Sequence, residues 1–133
     1  MMLERRSSIE NELDIVAARR CAKEVAKELG FSTVDQVRIA TAISELARNI
    51  VLYAKEGSIV VRALCEGERK GLEILVADKG PGIPNIELAM TDGYSTSGGL
   101  GAGLPGARRL MDTFRVDSQL GQGTTIVARK WKA

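Results

Sequence analysis

Half of the chain's 14 glycines lie between residues 80 and 103, together with two of its three prolines. Glycine and proline at this density disfavour a regular helix or strand, because glycine costs backbone entropy and proline lacks an N–H donor. Long loops in compact domains are usually functional. The sequence therefore predicts a long functional loop, with helices and strands before it and a helix and strands after it.

Two amphipathic helices are predicted before this loop. The first follows Asn11 and stops at Gly30, and its expected apolar stripe repeats every four residues: Leu13, Ala17, Cys21, Val25 and Leu29. The second begins at Ser32 or Thr33, where Thr33 and Gln36 have capping-box spacing, and it ends near Tyr53. Its expected buried stripe consists of Ile39, Ile43, Leu46 and Ile50.

Strands are predicted on both sides of the loop. Residues 3–9 form a weak candidate, 58–66 and 72–77 are expected to pair antiparallel, and 114–120 and 124–131 are joined by a tight turn at 121–123. A further helix runs from Pro105 to about Met111. This order predicts one α+β domain over residues 1–133, a two-layer sandwich with the helices on one face of the sheet.

Composition excludes several classes of function. A chain without histidine lacks Ser-His-Asp and Cys-His catalysis and histidine metal sites. A net charge of +2, scattered basic residues and 4% aromatic residues argue against a nucleic-acid partner. No apolar run of about 18 residues is present, so we expect no membrane contact and a cytoplasmic location. Cys21 and Cys65 are interpreted as small hydrophobic residues on apolar faces.

The first glycine-rich turn is Asp78-Lys79-Gly80-Pro81-Gly82, directly after a predicted strand. It places a carboxylate at a strand end, followed by backbone that a flat ligand can approach closely. A buried carboxylate facing an exocyclic amine would select adenine. The alternative is a solvated aspartate in an ordinary turn, since Asp, Gly and Pro are common turn residues.

The second glycine-rich turn, residues 97–104, ends against the helix that begins at Pro105. Free N–H groups and the positive helix end suit a phosphate there, although a hinge without a ligand is the alternative. Residues 80–107 contain no Lys or Arg, so phosphate charge must be met by amides, a metal ion, or Lys79, Arg108 or Arg109. The run from Gly101 to Gly106 matches a Rossmann fingerprint, but it follows no strand and opens no βαβ unit.

Glu45 and Asn49 are four residues apart on the second helix and therefore share one face. An amide oxygen is a suitable protein ligand for Mg²⁺, and a neighbouring carboxylate could accept a proton from an attacking hydroxyl. The alternative is an ordinary exposed pairing of Glu45 with Arg48 or Asn49.

Together these motifs resemble the N, G1, G2 and G3 boxes of the ATP-binding fold shared by gyrase, Hsp90, histidine kinases and MutL. The boxes correspond to Glu45–Asn49, Asp78–Gly82, Gly101–Gly103 and Gly121–Thr124, in the family's order and spacing. The resemblance implies the α+β sandwich of that superfamily, with a mixed or antiparallel sheet and a flexible ATP lid over about 85–97. The strings around 34–36, 43–49 and 94–106 further resemble the serine/threonine switch kinases of the bacterial stressosome, relatives of the anti-sigma factor kinases.

That resemblance implies a role for each site residue. Glu45 would be the general base, Asn49 would hold Mg²⁺, Asp78 would bind the adenine amino group, and Arg19 would grip a protein partner. The remaining implied ATP-binding residues are Gly80, Gly82, Ser97, Gly98, Gly99, Leu100, Gly101, Ala102, Gly103, Leu104 and Thr124. The chain departs from its relatives just before the G2 glycines, where they can carry a basic residue and it has Gly98-Gly99-Leu100.

The implied function is transfer of phosphate from Mg-ATP to STAS-domain stressosome proteins. The released kinase would then bind and activate a downstream regulator such as a phosphatase, and a homodimer is also allowed. The alternative is a nucleotide-loaded anti-sigma factor that sequesters a sigma subunit without useful turnover. A gyrase-like or Hsp90-like machine needs additional domains that 133 residues cannot hold, and a sensor histidine kinase needs a phosphoacceptor helix.

Overall fold

A five-stranded antiparallel sheet organises the protein. The computed structural model describes residues 3–80 and 103–132. Its elements are β1 (Glu4–Ile9), α1 (Glu12–Glu28), α2 (Thr33–Asn49), a π-helical turn (Ile50–Ala54), β2 (Gly57–Glu66), β3 (Arg69–Asp78), α3 (Gly103–Leu110), β4 (Thr113–Gln119) and β5 (Gly123–Trp131). The strand order is β1-β2-β3-β5-β4. The α+β prediction is confirmed, and the predicted lid at 85–97 lies outside the described residues.

The core lies between the helices and one face of the sheet. Alternate residues of the three central strands point into it, among them Ile59 on β2, Ile74 on β3 and Ile126 on β5. The strand predictions were correct to within three residues at each end. Cys65, near the end of β2, is exposed, contrary to expectation. Among the described residues, no helix is both long and apolar enough to cross a membrane.

Helix α1 begins and ends as the sequence predicts, but its buried face is different. Asn11 caps it by accepting from the Asp14 N–H at 3.1 Å, and Gly30 follows it with φ at 86°. The buried residues are Ile15, Ala18, Ala22, Val25 and Ala26. Of the expected stripe only Val25 is fully buried, because a step of four residues turns about 40° too far, so the stripe drifts around the helix. Leu13 is consequently 79% exposed.

Helix α2 has the predicted buried stripe, since Ile39, Ile43, Leu46 and Ile50 are each at most 1% exposed. Its cap is Ser32, whose Oγ accepts from the Asp35 N–H at 3.1 Å. The expected capping box between Thr33 and Gln36 is therefore wrong. The α-helix ends at Asn49, and the π-helical turn continues to Ala54.

The opposite face of the sheet carries a buried carboxylate. Glu73 on β3 is 1% exposed and lies directly between Arg62 on β2 and Arg129 on β5. Each arginine donates Nε–H to one carboxylate oxygen at 2.8 Å. A buried charge needs such pairing, because desolvation without partners is costly. The cluster therefore ties the three central strands together on the face away from the helices.

Candidate functional site

Asp78 is the last residue of β3 and is half-buried. Its Oδ1 accepts a hydrogen bond from the Gly80 N–H at 2.9 Å, which fixes the carboxylate at the strand end. Oδ2 takes no part in this bond. Asp78 is thus an oriented acceptor, and the same bond is also the one that an aspartate makes in an ordinary Asx turn.

Three glycines approach Asp78 from different elements. A methyl group at Gly57 would lie 2.7 Å from the Ala77 carbonyl oxygen and 3.0 Å from the Asp78 Cβ. One at Gly80 would lie 2.6 Å from the Ala54 Cβ, and one at Gly123, where φ is 119°, would overlap the Asp78 carbonyl oxygen. The absence of side chains at these positions therefore allows three backbone segments to close around Asp78.

Four residues form one cross-strand row that includes Asp78: Gly57, Asp78, Thr124 and Ser118 are successive partners on β2, β3, β5 and β4. Thr124 is 8% exposed, and its hydroxyl lies 2.9 Å from that of Ser118 in a hydrogen bond. Ser118 also donates to the Gly123 carbonyl at 3.2 Å. Thr124 therefore holds the wall beside Asp78, with support from a serine that the sequence analysis did not identify.

Glu45 connects α2 to the glycine turn. Its Oε2 accepts a hydrogen bond from the Gly103 N–H, the first residue of α3, at 3.1 Å. Its Oε1 lies 3.6 Å from an Arg48 guanidinium nitrogen, and the Glu45 side chain is 20% exposed. The expected pairing with Arg48 is thus present but long, and the contact with Gly103 is the closer one.

Asn49 ends α2 and is half-buried. The π-helical turn that follows it packs on the Asp78 region, because Ile50 lies against Gly57 and Ala54 against Gly80. The turn closes with the Lys55 N–H donating to the Ile50 carbonyl at 2.8 Å, and Lys55 has a positive φ of 72°. Single π-helical turns frequently mark functional sites.

The structure tests only part of the predicted phosphate turn. Gly82 and residues 97–102 lie outside the described residues. The Leu104 side chain is 7% exposed and belongs to the core, so only its backbone is available to a ligand. Arg108 and Arg109 are exposed in the last turn of α3, about 8 Å of helical rise from Gly103.

Arg19 lies outside this site, in a groove between α1 and α2. The groove is lined by Val16, Arg19, Arg20, Lys23, Val37 and Ala40. Val16 is 56% exposed and Val37 is 44% exposed, and Leu13 and Val34 add further exposed apolar surface. We call this surface the α1–α2 groove. An apolar patch with a charged rim is typical of a protein interaction site.

Besides Ser118, two structural contributions were missed by the sequence analysis. Gly57 was not singled out, although an isolated glycine in a strand can signal close approach of another backbone. Ala54 could not be identified, because its contact with Gly80 joins segments separated in sequence. Both act on the immediate surroundings of Asp78.

The described residues thus form an antiparallel sheet covered by helices on one face, with an oriented aspartate at a strand end and a Glu-Asn helix beside it. The chain matches the family model for histidine kinase-, DNA gyrase B-, and HSP90-like ATPases over residues 34–133, and it belongs to that family.

Within the family, the chain is a serine/threonine protein kinase. It is 61% identical over 123 residues to the serine/threonine-protein kinase RsbT of Bacillus subtilis, with 92% of each chain covered. It is also 35% identical to an anti-sigma F factor of Clostridium beijerinckii, over 74% of this chain and 73% of that one.

A solved structure supports the fold. The crystal structure of the RsbU and RsbW domains of a Mycobacterium tuberculosis protein superposes with a TM-score of 0.66 at 23% identity. The match covers all of this chain and 33% of the larger one. At this identity the likeness concerns the fold alone.

Proposed function

We propose that this kinase transfers the γ-phosphoryl group of Mg-ATP to a serine or threonine of a STAS-domain stressosome protein. In this proposal the released kinase binds and activates a downstream regulator, such as a phosphatase, in the cytoplasm. The observation that carries the nucleotide part is the oriented Asp78 carboxylate within a wall kept free of side chains at Gly57, Gly80 and Gly123.

Asp78 would recognise the adenine base. Because Gly80 holds Oδ1, the carboxylate keeps a fixed direction and Oδ2 can accept a hydrogen bond from the exocyclic amine. A guanine presents a carbonyl oxygen at the same position, and its lone pairs would face the carboxylate. A site that hydrogen-bonds one base in this way rejects the other, since its buried polar group would be left unpaired.

Asn49 would supply the protein ligand for magnesium. A neutral amide oxygen at the end of α2 fits Mg²⁺, which keeps several waters and takes phosphate oxygens as further ligands. When bound, the ion neutralises phosphate charge, which matters here because residues 80–107 contain no Lys or Arg. Phosphoryl transfer depends mainly on such positioning and charge neutralisation.

Glu45 would accept the proton of the attacking hydroxyl. A carboxylate oxygen has two lone-pair sites, so the bond to Gly103 leaves acceptor capacity on Glu45. The Glu45 carboxylate thus lies beside Gly103, at the start of α3, and can still act as a base. Proton acceptance by a positioned carboxylate typically contributes about 10²–10⁴-fold to a rate.

The α1–α2 groove is the proposed contact surface for the protein partner. Arg19, Arg20 and Lys23 favour an acidic partner surface, and the exposed valines favour an apolar anchor. The family match covers residues 34–133 and begins after the end of α1. A second copy of the chain is also a proposed partner.

The decisive experiment incubates the protein with γ-labelled Mg-ATP and a co-encoded STAS-domain protein and maps the label. We expect label on a serine or threonine, loss of transfer and of Mg-dependent ATP affinity in Asn49→Ala, and weaker substrate binding in Arg19→Glu. Arg115→Glu is the matched charge reversal, since Arg115 is 78% exposed on β4. Intact ATP binding without any transfer would overturn the kinase proposal.

A second candidate is sequestration of a sigma subunit. The similarity to an anti-sigma F factor favours it, and the α1–α2 groove would serve such a partner equally well. This function predicts a stable complex with a co-encoded sigma subunit in the presence of ATP. Pull-down with purified sigma subunit and STAS protein, run in parallel, separates the two candidates.

A further inference from the structure

The hydrogen bond between Glu45 and Gly103 joins two site elements that are 58 residues apart in sequence. Glu45 belongs to α2, whereas Gly103 is the first residue of α3 and the end of the glycine-rich turn. Hydrogen bonds with an ionised acceptor are stronger than neutral ones, and a carboxylate is favoured at the positive end of a helix. This contact is therefore suited to fix the start of α3.

Two features of the described residues bear on this bond. Gly103 has a positive φ of 45°, a conformation that glycine adopts without strain, so its own backbone does not fix the N–H direction. The next residues are anchored, because Leu104 is 7% exposed and Ala107 is fully buried. The Glu45 carboxylate is thus a polar contact that orients the amide at the start of an anchored helix.

We propose that Glu45 is a positioning residue for Gly103 at the start of α3, in addition to its role as the proton acceptor. Its carboxylate holds the Gly103 N–H and so fixes the start of α3 relative to α2. The inference rests on the proposed function, because it takes Gly103 as part of the phosphate-binding turn. Loss of the carboxylate then weakens binding of the nucleotide's phosphates as well as slowing transfer.

A positioning role and a purely basic role predict different results for two substitutions. Glu45→Gln retains an oxygen that can accept from Gly103 but cannot serve as a base, whereas Glu45→Ala removes both. We expect Glu45→Ala to weaken ATP binding on the order of tenfold and Glu45→Gln to remain within about threefold of the native protein. Both variants should lose transfer activity.

Adenosine provides the control for general damage to the site. It has the base but no phosphates, so its affinity should be the same in Glu45→Ala and in the native protein. Arg48→Ala is the matched variant. It removes the ion pair between Arg48 and Glu45 but leaves the bond from Gly103 to Glu45 intact, and the Arg48 side chain is 45% exposed. ATP affinity of Arg48→Ala should match the native value.

The test measures the affinities for ATP and adenosine by calorimetry and the amide hydrogen-exchange rate at Gly103. Faster exchange at Gly103 and selective loss of ATP affinity in Glu45→Ala, with rescue in Glu45→Gln, supports the positioning role. Equal ATP affinity in all variants, or equal loss of ATP and adenosine affinity in Glu45→Ala, overturns it. If the native protein binds no nucleotide, the proposed function is refuted. The positioning contact is tested separately by hydrogen exchange: an unchanged exchange rate at Gly103 in Glu45→Ala refutes it, whether or not nucleotide binds.

Discussion

Replacement of Gly57 by alanine should weaken ATP binding without a change in any residue proposed to touch ATP. The added methyl group would lie 2.7 Å from the Ala77 carbonyl oxygen, 3.0 Å from the Asp78 Cβ and 3.1 Å from the Ile50 Cγ2. Two of these neighbours belong to β3, so the strand end that carries Asp78 must move. Overpacking of this kind costs about 1–3 kcal/mol of stability.

The loss of affinity follows from the displacement of Asp78. A hydrogen bond to a charged group contributes about 1.5–3 kcal/mol, so partial loss of the bond to the adenine amine should weaken ATP binding roughly tenfold. Titration with ATP and with GTP measures this effect. The ATP affinity should fall, and the ratio of ATP to GTP affinity should fall with it, because Asp78 provides the discrimination.

Gly67→Ala is the matched control in the same β-hairpin. A methyl group there meets no atom within 4 Å, but φ is 60°, so alanine is strained and stability falls by about 1 kcal/mol. Both variants are therefore destabilised, and only Gly57→Ala should lose affinity. Equal ATP affinity in Gly57→Ala and Gly67→Ala, with both proteins folded, would refute the reasoning.

Further predictions concern the base, the charge cluster and the cysteines. Asp78→Asn should reduce ATP affinity by at least tenfold in calorimetry, because the amide presents a weaker and ambiguous acceptor. Glu73→Ala should lower the free energy of unfolding by about 2 kcal/mol in urea titration, less than for a fully buried pair because its arginine partners can rehydrate. Burial raises the pKa of the Cys21 thiol, so iodoacetamide should modify exposed Cys65 first at neutral pH, as mass spectrometry can show. Equal reaction rates at the two thiols would contradict the described burial.

The sequence was sufficient where the evidence is local. The period of α2 predicted its buried residues, and the predicted strands lie within three residues of the observed strand ends. The phase of α1 was missed because apolar and small residues occur on several of its faces, and a four-residue repeat is not the helical period. Leu13 was consequently placed in the core although it is exposed.

Contacts across long sequence separations could not be predicted in this way. The position of Asp78 depends on Gly57, Ala54 and Gly123, which come from three other segments, and no local pattern reports their approach. Likewise, Glu45 and Asn49 share a helix face by spacing, but only the packing of α3 on α2 shows that Glu45 meets Gly103. Sequence patterns predicted candidate functional groups, whereas the tertiary structure supplies their mutual restraints.

Helix α2 and its π-helical turn provide most of those restraints. Val37 and Ala40 line the α1–α2 groove, Glu45 holds Gly103, and Ala54 packs on Gly80. The distance from Val37 to Glu45 is about 12 Å along a continuous helix, and such a helix moves largely as one body. A partner that shifts α2 at the groove would therefore also shift Glu45. The core residues Ile39 and Ile43 lie between these two points on the helix. Both isoleucines are fully buried in the core, so the core packing of α2 opposes such a shift.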